Sequence, residues 1–311
     1  MANKKILPVV IIDYLSAART HKFVADFRNQ KTELKPVFII VDNAGDAENQ
    51  SKLTVEMRLC KVPGFSEGKV FCNTDEDIYV IIPGENLGFA KGNNVGFNLA
   101  QLLFRPQWVL FSNNDIQFTD GFSMDALIQD MINNPKIGVI GPKVVGLDEK
   151  PQTPCKELDL YQRWWKKLFL WPLDRLIYKI IKRTVIPSDL EDSAKSGQVY
   201  RLIGAFLLCD GDKFIQVGQF DECTFLYAEE LILAERMRNS GYITYYESNV
   251  ELIHEGGYTT KKKFVPISKV AQRLESELYY YEKYKHVNRF EINMTKLLFK
   301  VYKTKLWIFK R

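Results

Sequence analysis

Short apolar runs alternate with polar, helix-like stretches through the first 150 residues of the chain. Four runs rich in Val and Ile predict strands: "LPVVIID" (7–13), "KPVFIIVDNAG" (35–45), "DIYVIIPGENLG" (77–88) and "QWVLFSNNDI" (107–116). Helices are predicted between them, including "ARTHKFVADFRNQ" and "FAKGNNVGFNLAQLL" (89–103). Because the strands are apolar on both faces, the pattern predicts an α/β fold with a mostly parallel central sheet and helices on both faces.

Three of these strands end in polar clusters, which are Asp42-Asn43, Glu85-Asn86 and Asn113-Asn114-Asp115. One such cluster is explained by a turn, because Asn and Asp bond their own backbone. In parallel sheets, however, ligands bind beyond the carboxyl ends of the strands. Three polar endings that meet at one edge therefore predict a functional site.

The second half of the chain has a different pattern. After Pro172, apolar residues at helical spacing and basic residues beside the opposite face predict an amphipathic helix. Its apolar positions are Leu173, Leu176, Ile177, Ile180 and Ile181. Residues 187–198 are polar and predict a loop, and the tail from about residue 266 is helical. We therefore predict one domain over 1–265, with an insertion at about 154–198, and a basic helical extension over 266–311.

The net charge of +5 hides an asymmetry between segments. Residues 261–311 hold 14 basic against 4 acidic residues, and residues 154–183 hold 8 against 3. Tryptophans of these segments are Trp164, Trp165, Trp171 and Trp307. Basic, aromatic segments suit an anionic surface, lipid or nucleic acid, and Trp favours the bilayer interface. Packing of these segments on the core, or in a dimer contact, is the plain alternative.

The chain shows no signal for export or membrane insertion. Its first apolar run is short and ends at Asp13, so it reads as a strand, and no apolar run approaches the roughly 18 residues of a membrane span. The five cysteines are odd in number and form no CxxC pair, which favours reduced thiols in a cytoplasmic protein. Peripheral attachment to the inner face of the plasma membrane is compatible with this pattern.

Several stretches, taken together, carry a family resemblance over roughly residues 6–260. They are "IIVDNAG", "ENLGFAKGNNVGFNLA", "VLFSNNDI", "GPKVV", "GAFLLCD", "FDECTFLYAEELILAERMRNSGY" and "ELIHEGGYT". The chain resembles the family 2 glycosyltransferases of the GT-A fold, most closely the rhamnosyltransferase-like branch of bacterial polysaccharide assembly. The resemblance implies an inverting enzyme that moves one hexosyl or rhamnosyl unit from a nucleotide-sugar donor to a saccharide acceptor, which we expect to be lipid-linked. The QxxRW motif of processive members is absent from the sequence.

The resemblance implies a metal site around Asp115. Asn113-Asn114-Asp115 occupies the place of the family's DxD-type motif, so Asp115 is expected to bind Mg²⁺ or Mn²⁺ and Asn113 to bind or support the metal. His254 in "IHEGG" is expected to coordinate the metal or contact the diphosphate. A hard cation with oxygen ligands would neutralise the charge of a leaving diphosphate. The alternatives are a structural turn and a structural histidine.

The resemblance also implies a donor-binding set. Asp42 is expected to accept hydrogen bonds from the base or ribose of the nucleotide, although Asp also favours the N-cap of a helix. Further donor contacts are expected at Asn86, Gly88, Lys91, Asn93 and Asn114. The glycine allows close backbone approach, and the lysine can reach a phosphate.

The pair Glu229-Glu230 aligns with the Glu-Asp pair that supplies the family's catalytic base. Glu230 stands where Asp is usual, and we favour it over Glu229 as the base because a longer carboxylate can still deprotonate a hydroxyl. The alternative is a pair of acidic residues placed in the first helical turn by the helix dipole.

Two other functions are open. The departures from the family's Asp residues favour a non-catalytic relative that binds nucleotide-sugars. A nucleic-acid-binding protein would use the basic tail but leaves the carboxylates at the strand ends unexplained, so no nucleic-acid partner is expected.

Overall fold

Strands and helices alternate through the N-terminal half of the molecule. The structure is a computed structural model that describes residues 6–166, 168–169, 190–191, 194–256 and 267–308. Elements of this half are β1 (Ile6–Asp13), α1 (Ala17–Arg28), β2 (Lys35–Asp42), α2 (Ala47–Leu53), β3 (Arg58–Cys60), β4 (Lys69–Cys72), β5 (Ile78–Ile82), α3 (Gly88–Phe104), β6 (Trp108–Ser112), β7 (Ile116–Phe118), α4 (Met124–Asn133) and β8 (Ile137–Val145). The predicted alternation is confirmed.

The second half of the chain contributes both strands and helices. Its elements are a π-helical turn (Tyr161–Trp165), β9 (Gly197–Val199), β10 (Phe206–Asp210), α5 (Gly211–Gln216), α6 (Glu229–Asn239), β11 (Ile243–His254), α7 (Ile267–Lys283) and α8 (Arg289–Ile308). The amphipathic helix predicted after Pro172 lies outside the described residues. The domain boundaries at 154–198 and 265/266 stay predictions. None of the helices within the described ranges is long and apolar enough to cross a bilayer.

All these strands form one sheet, in the order β3-β4-β5-β2-β1-β6-β10-β8-β11-β7, with β9 beside β11. Strands β5, β2, β1 and β6 run parallel, and β8 and β11 are also parallel to each other, whereas β10 lies antiparallel to both β6 and β8. Side chains of β1 alternate between two cores: Val9 and Ile11 pack on one face, and Val10 packs on the other. The sheet is thus buried on both faces, as predicted, and its carboxyl edge is left to carry polar groups.

A third apolar cluster joins the C-terminal helices to the sheet layer. It contains Trp164 of the π-helical turn, Ala228 and Ile232 at the start of α6, Leu278 of α7 and Phe299 of α8. Glu277 lies at its centre, almost fully buried, and accepts hydrogen bonds from Arg163, Arg273 and Trp164. The helices α7 and α8 are therefore packed against the element that carries Glu229 and Glu230.

Two predictions about the chain are corrected. The predicted strand 107–116 is two strands, because β6 ends at Ser112 and the backbone turns through 113–115 before β7 pairs with β11. Cys60 and Cys72 are not reduced thiols: they form a disulfide across the β3–β4 hairpin, with their Cα atoms 6.0 Å apart. The sequence offered no sign of this pairing, because the hairpin itself was not predicted.

Candidate active site

The carboxyl ends of β1 and β2 place two aspartates side by side. Asp13 and Asp42 are register partners at the last position of each strand, and both are buried. Asn49 on α2 links them, because its Nδ2 donates to Asp13 Oδ1 at 2.8 Å and to Asp42 Oδ1 at 3.3 Å. Sequence analysis missed Asp13. Its position at the end of a parallel strand beside the one that carries Asp42 is the signal that could have found it.

Asn114 belongs to the same network. Thr20 Oγ1 donates to Asp13 Oδ2 at 2.5 Å and accepts from Asn114 Nδ2 at 2.7 Å. Asn114 Nδ2 also lies 2.8 Å from Ser16 Oγ. The amide group thus ties the turn after β6 to the start of α1, and its predicted contact with the donor stays a prediction.

Asp42 presents one carboxylate oxygen without a partner. Its Oδ1 accepts from Ala44 N at 3.1 Å, whereas Oδ2 is buried and has no hydrogen-bond partner among the described residues. Burial raises the pKa of Asp42, and the charge of Asp13 adds to the rise. A buried acceptor with no donor is costly, so Oδ2 suits a donor group on a ligand, such as a base N–H or a ribose hydroxyl.

The helix α3 begins at a glycine that a larger residue could not replace without displacement. Gly88 has φ +72°, and a Cβ built on it would lie 2.2 Å from the carbonyl oxygen of Phe225. Asn86 Oδ1 accepts from Gly88 N at 2.9 Å, and Asn43 Nδ2 donates to Gly88 O at 2.7 Å. The start of α3 is therefore fixed between the end of β2 and the loop before α6.

The other two residues predicted on α3 have different surroundings. Asn93 is buried and donates to the carbonyl of Phe89, one turn earlier in the same helix, at 3.0 Å. Lys91 has its side chain 46% exposed, with Nζ 3.7 Å from Glu85. Lys91 is thus placed to reach a ligand phosphate, whereas Asn93 has a helix-internal partner, and both donor contacts stay predictions.

Asn113, Asp115 and His254 meet where β6 ends and β11 ends. His254 Nε2 lies 3.2 Å from Asp115 Oδ1 and 3.3 Å from Asn113 Nδ2. The opposite ring nitrogen, Nδ1, lies 2.7 Å from Gln152 Oε1. Sequence analysis did not find Gln152, because the segment before the insertion matches none of the quoted motifs. Its amide fixes the orientation of the imidazole ring.

The side chains of Asn113, Asp115 and His254 suit a divalent cation. Gln152 Oε1 can only accept, so a neutral His254 carries its hydrogen on Nδ1 and presents a lone pair at Nε2. That lone pair faces Asp115 Oδ1, and two acceptors at this distance repel unless a cation or a proton lies between them. Within the described chain, no three His, Cys, Asp or Glu side chains converge on one metal position. Mg²⁺-type ions accept such a sparse protein set, because they keep water and substrate phosphate as ligands.

Glu229 and Glu230 begin α6 and differ in environment. Glu229 is buried, and its Oε1 has no hydrogen-bond partner in the part of the chain that the structure describes. Burial, with the charge of Glu230, raises the pKa of Glu229 to about 8. Glu230 instead forms an ion pair with the buried Arg201 at 3.4 Å. At neutral pH Glu229 is therefore mostly protonated, and Glu230 is the carboxylate of the pair that has a cationic partner.

The backbone turn before this pair is strained. Tyr227 and Ala228 have φ of +74° and +68°, which is rare for residues other than glycine and costs on the order of 1 kcal/mol or more each. Ser276 Oγ on α7 donates to Leu226 O at 2.7 Å and so holds the strained segment.

The loop that leads to this turn, residues 221–228, is also held in place at its first residue. Asp221 accepts hydrogen bonds from Tyr279 Oη at 2.8 Å and Tyr284 Oη at 2.5 Å, and it pairs with Arg236 at 3.1 Å and Lys283 at 3.2 Å. Burial alone would raise the pKa of Asp221, but these donors outweigh it and hold the pKa well below the ordinary value. The loop 221–228 is thus held at its first residue by side chains of α7 and the residue after it.

A cleft of about 710 Å³ lies between α1, α2 and the turn before β5. Its walls include His21, Lys52 and Met57, and it shares no residue with the cluster at the strand ends. The cleft is therefore not part of the candidate active site.

Comparison with known proteins agrees with this geometry. The chain is 25% identical over 267 residues to N-acetylglucosaminyl-diphospho-decaprenol L-rhamnosyltransferase of Mycobacterium tuberculosis, from both the CDC 1551 / Oshkosh and the ATCC 25618 / H37Rv strains. The match covers 82% of this chain and 78% of the relative. No family model matches the sequence.

Solved structures share the fold at low sequence identity. The structure of GalNAc-T7 with UDP, GalNAc and Mn²⁺ superposes with a TM-score of 0.56 at 10% identity, over 97% of this chain and 55% of that one. The mannosyltransferase PcManGT from Pyrobaculum calidifontis, in complex with GDP-Man and Mn²⁺, gives 0.55 at 12% identity, over 93% and 66%. The chain therefore spans little more than half of the first structure and about two thirds of the second.

The protein has the GT-A fold, and the comparisons indicate a glycosyltransferase. Within that class, its sequence is similar to that of a rhamnosyltransferase, as the motifs predicted. The fold class and the enzyme class predicted from sequence are thereby confirmed.

Proposed function

We propose that this protein is an inverting glycosyltransferase that moves one sugar from a nucleotide-sugar donor to a lipid-linked saccharide. The observation that carries the proposal is the convergence of the Asp13–Asp42 pair and the Asn113–Asp115–His254 cluster at one sheet edge, where Asn114 bonds to Thr20 beside Asp13. The relative's name, which specifies a GlcNAc-diphospho-lipid acceptor, supports the lipid-linked acceptor and a role in surface polysaccharide synthesis.

The donor would bind across the ends of β1, β2 and β6. Asp42 Oδ2 would accept a hydrogen bond from the nucleoside, which gives this buried oxygen the partner that it lacks within the described chain. The diphosphate would then lie toward Asp115 and His254, with Lys91 at the start of α3 as a cationic contact.

A divalent cation would be held by Asp115 and His254, with Asn113 beside them. When bound, such an ion neutralises charge on the departing diphosphate. Gln152 would keep the imidazole of His254 turned toward that position. The Mn²⁺ in both solved structures supports a divalent metal.

Glu230 would act as the base. As the acceptor hydroxyl oxygen forms a bond to the anomeric carbon, its proton passes to the Glu230 carboxylate and the bond to the diphosphate oxygen breaks, so the configuration inverts. Arg201 would hold the Glu230 side chain in place. Glu229, protonated at neutral pH, would leave Glu230 as the only charged member of the pair.

Purified protein incubated with nucleotide-sugars, Mn²⁺ and a GlcNAc-diphospho-lipid analogue tests the proposal. A saccharide product of inverted linkage and an equal yield of nucleoside diphosphate are expected. The departures from the family's Asp residues favour one competing function, a non-catalytic nucleotide-sugar-binding relative. Saturable donor binding, with neither transfer nor donor hydrolysis across the panel, would establish that alternative instead.

A further inference from the structure

The last helix, α8, has two apolar faces. Ile292, Thr295 and Phe299 face the third apolar cluster and are buried. On the opposite side, the outer stripe consists of Phe290, Met294, Leu297 and Val301, whose spacing of four, three and four residues keeps them on one line of the helix. Phe290, Leu297 and Val301 are 70%, 54% and 46% exposed. Packing among the described residues explains the inner face and leaves Phe290, Leu297 and Val301 of the outer stripe exposed, with Met294 half-buried.

A basic row lies about 120° around the helix from the outer stripe, between the stripe and the buried face. It consists of Arg289, Lys296, Lys300 and Lys303, all exposed. In the sequence of α8 there are five basic residues and one acidic residue, Glu291. An exposed apolar line together with a basic side is typical of a helix that lies in the plane of a bilayer interface.

Aromatic residues are also exposed on the segment that packs on α8. The π-helical turn packs on α8, since Trp165 Nε1 donates to Thr295 Oγ1 at 2.8 Å, and its Tyr161 is exposed. Phe169 is also exposed and lies within ring-contact distance of Trp165. Trp164, which the sequence suggested for a bilayer interface, is instead buried against Glu277, so for this residue the alternative of core packing is correct.

We infer that the outer stripe and the basic row form a docking surface for an anionic lipid bilayer. Charge complementarity selects this partner over a second copy of the chain. With a single acidic residue on α8, two copies placed stripe to stripe would gain little ion pairing. The helix that carries this surface shares the third apolar cluster with Ala228, the residue before Glu229. The inference does not depend on the proposed function, because lipid binding needs neither donor nor acceptor.

Co-sedimentation of the full chain with vesicles tests the outer stripe. Wild-type protein should pellet with vesicles of phosphatidylglycerol and phosphatidylcholine at low salt, and much less with phosphatidylcholine alone. The double substitution Leu297→Gln/Val301→Gln should lower the partition coefficient at least about tenfold. The matched control is Ile132→Gln, an exposed apolar residue on α4, which should bind as wild type does.

The basic row is tested in the same assay. Lys296→Gln/Lys300→Gln/Lys303→Gln should also lower binding to anionic vesicles at least about tenfold, since each basic residue near anionic lipid contributes a several-fold gain. Removing the same charge from exposed lysines elsewhere, with Lys31→Gln/Lys35→Gln/Lys136→Gln, should cost much less.

Equal supernatant recovery of wild type with anionic and neutral vesicles would overturn the inference. So would equal binding of the stripe variant and its Ile132 control. A dimer in light scattering that the stripe variant dissociates, without vesicle binding by wild type, would assign the surface to a second copy instead. Melting temperatures within about 2 °C of wild type would show that the variants are folded.

Discussion

At the residue scale, Asp115 is the side chain that we propose binds the metal ion. Asp115→Asn keeps the shape of the side chain but removes the carboxylate that faces His254 Nε2 at 3.2 Å. We expect metal-dependent transfer to fall about 100-fold or more, with a melting temperature within a few degrees of wild type. Transfer rates over a Mn²⁺ titration measure the effect, and Asp120→Asn on the exposed loop nearby is the control. Full activity of Asp115→Asn would remove the metal assignment.

The assignment of the base predicts a different signature for Glu230. Glu230→Gln removes the proton acceptor without changing the donor pocket, so kcat should fall at least about 100-fold while donor affinity stays within a few-fold. Single-turnover transfer and donor titration separate the two quantities. Glu229→Gln is the matched comparison and should retain much more activity. The reverse order of the two variants would assign the base to Glu229.

Glu229 has a second consequence, for stability. Its pKa in the folded protein is about 8, above the ordinary 4.5, so the folded state binds more protons than the unfolded state between these values. The contribution of Glu229 to stability is therefore present below pH 4.5 and is lost as the pH rises to 8. The Glu229→Gln variant has no carboxyl group to ionise, so its stability does not fall with pH in this way.

Urea unfolding at pH 5, 7 and 8.5 measures that consequence. The free energy of unfolding of Glu229→Gln, relative to wild type, should increase with pH, by roughly 4 kcal/mol across the range. Glu149→Gln, on an exposed turn, should show no such trend. A difference that is flat in pH would mean that Glu229 is ionised in the folded protein.

At the scale of elements, α7 anchors the loop that leads to Glu229 and Glu230. Asp221 accepts hydrogen bonds and ion pairs from side chains at the end of this helix and from Arg236. The substitution Asp221→Asn would weaken all of these interactions at once. We expect a loss of roughly 2–4 kcal/mol in the free energy of unfolding at pH 7. The pKa of Asp221 in the folded protein is lower than its ordinary value of 3.8. Its contribution to stability is therefore fully present above pH 3.8 and is lost as the pH falls through the pKa of the folded state.

Chemical unfolding at pH 7 and pH 3.5 checks this prediction, since the difference between wild type and Asp221→Asn should shrink at the lower pH. Asp212→Asn, an exposed aspartate on α5, is the control. Transfer by Asp221→Asn should show a lower kcat, because Asp221 anchors the loop that leads to Glu229 and Glu230. An unchanged kcat would mean that the loop does not need this anchor.

Secondary-structure elements could be predicted from the sequence where burial on both faces alone determines the residue pattern. Strands such as β1 and β2, buried on both faces, read as unbroken apolar runs. The strands of the hairpin β3–β4 are only three and four residues long and lie at the sheet edge, so neither they nor the disulfide between Cys60 and Cys72 could be predicted from the pattern. Residues such as Gln152 and Arg201 were missed for a related reason: they act through tertiary contacts with His254 and Glu230 across about 100 and 30 positions of sequence.

At the scale of the whole molecule, nucleotide and metal should stabilise the fold jointly. The buried Asp42 Oδ2 and the Asp115–His254 pair lie at the same edge of the sheet, with the end of β1 between β2 and β6. A nucleoside diphosphate that spans β1 can contact the first with its nucleoside and approach the second with its phosphates. Each ligand then binds more tightly when the other is present, since phosphate oxygens complete the coordination of the metal. A ligand at 100 times its Kd contributes about 2.7 kcal/mol, which is roughly 5 °C for a chain of this size.

Thermal unfolding with nucleoside diphosphates, with and without Mn²⁺, measures this coupling. The shift with both ligands should exceed the sum of the separate shifts, and EDTA should return it to the shift of nucleotide alone. Asp115→Asn should keep the nucleotide shift but lose the excess due to Mn²⁺. Asp42→Asn should lose much of the nucleotide shift, because the amide replaces an acceptor oxygen with a donor facing the nucleoside. Additive shifts in wild type would mean that the two groups of residues bind their ligands independently, and the donor could not then bridge them.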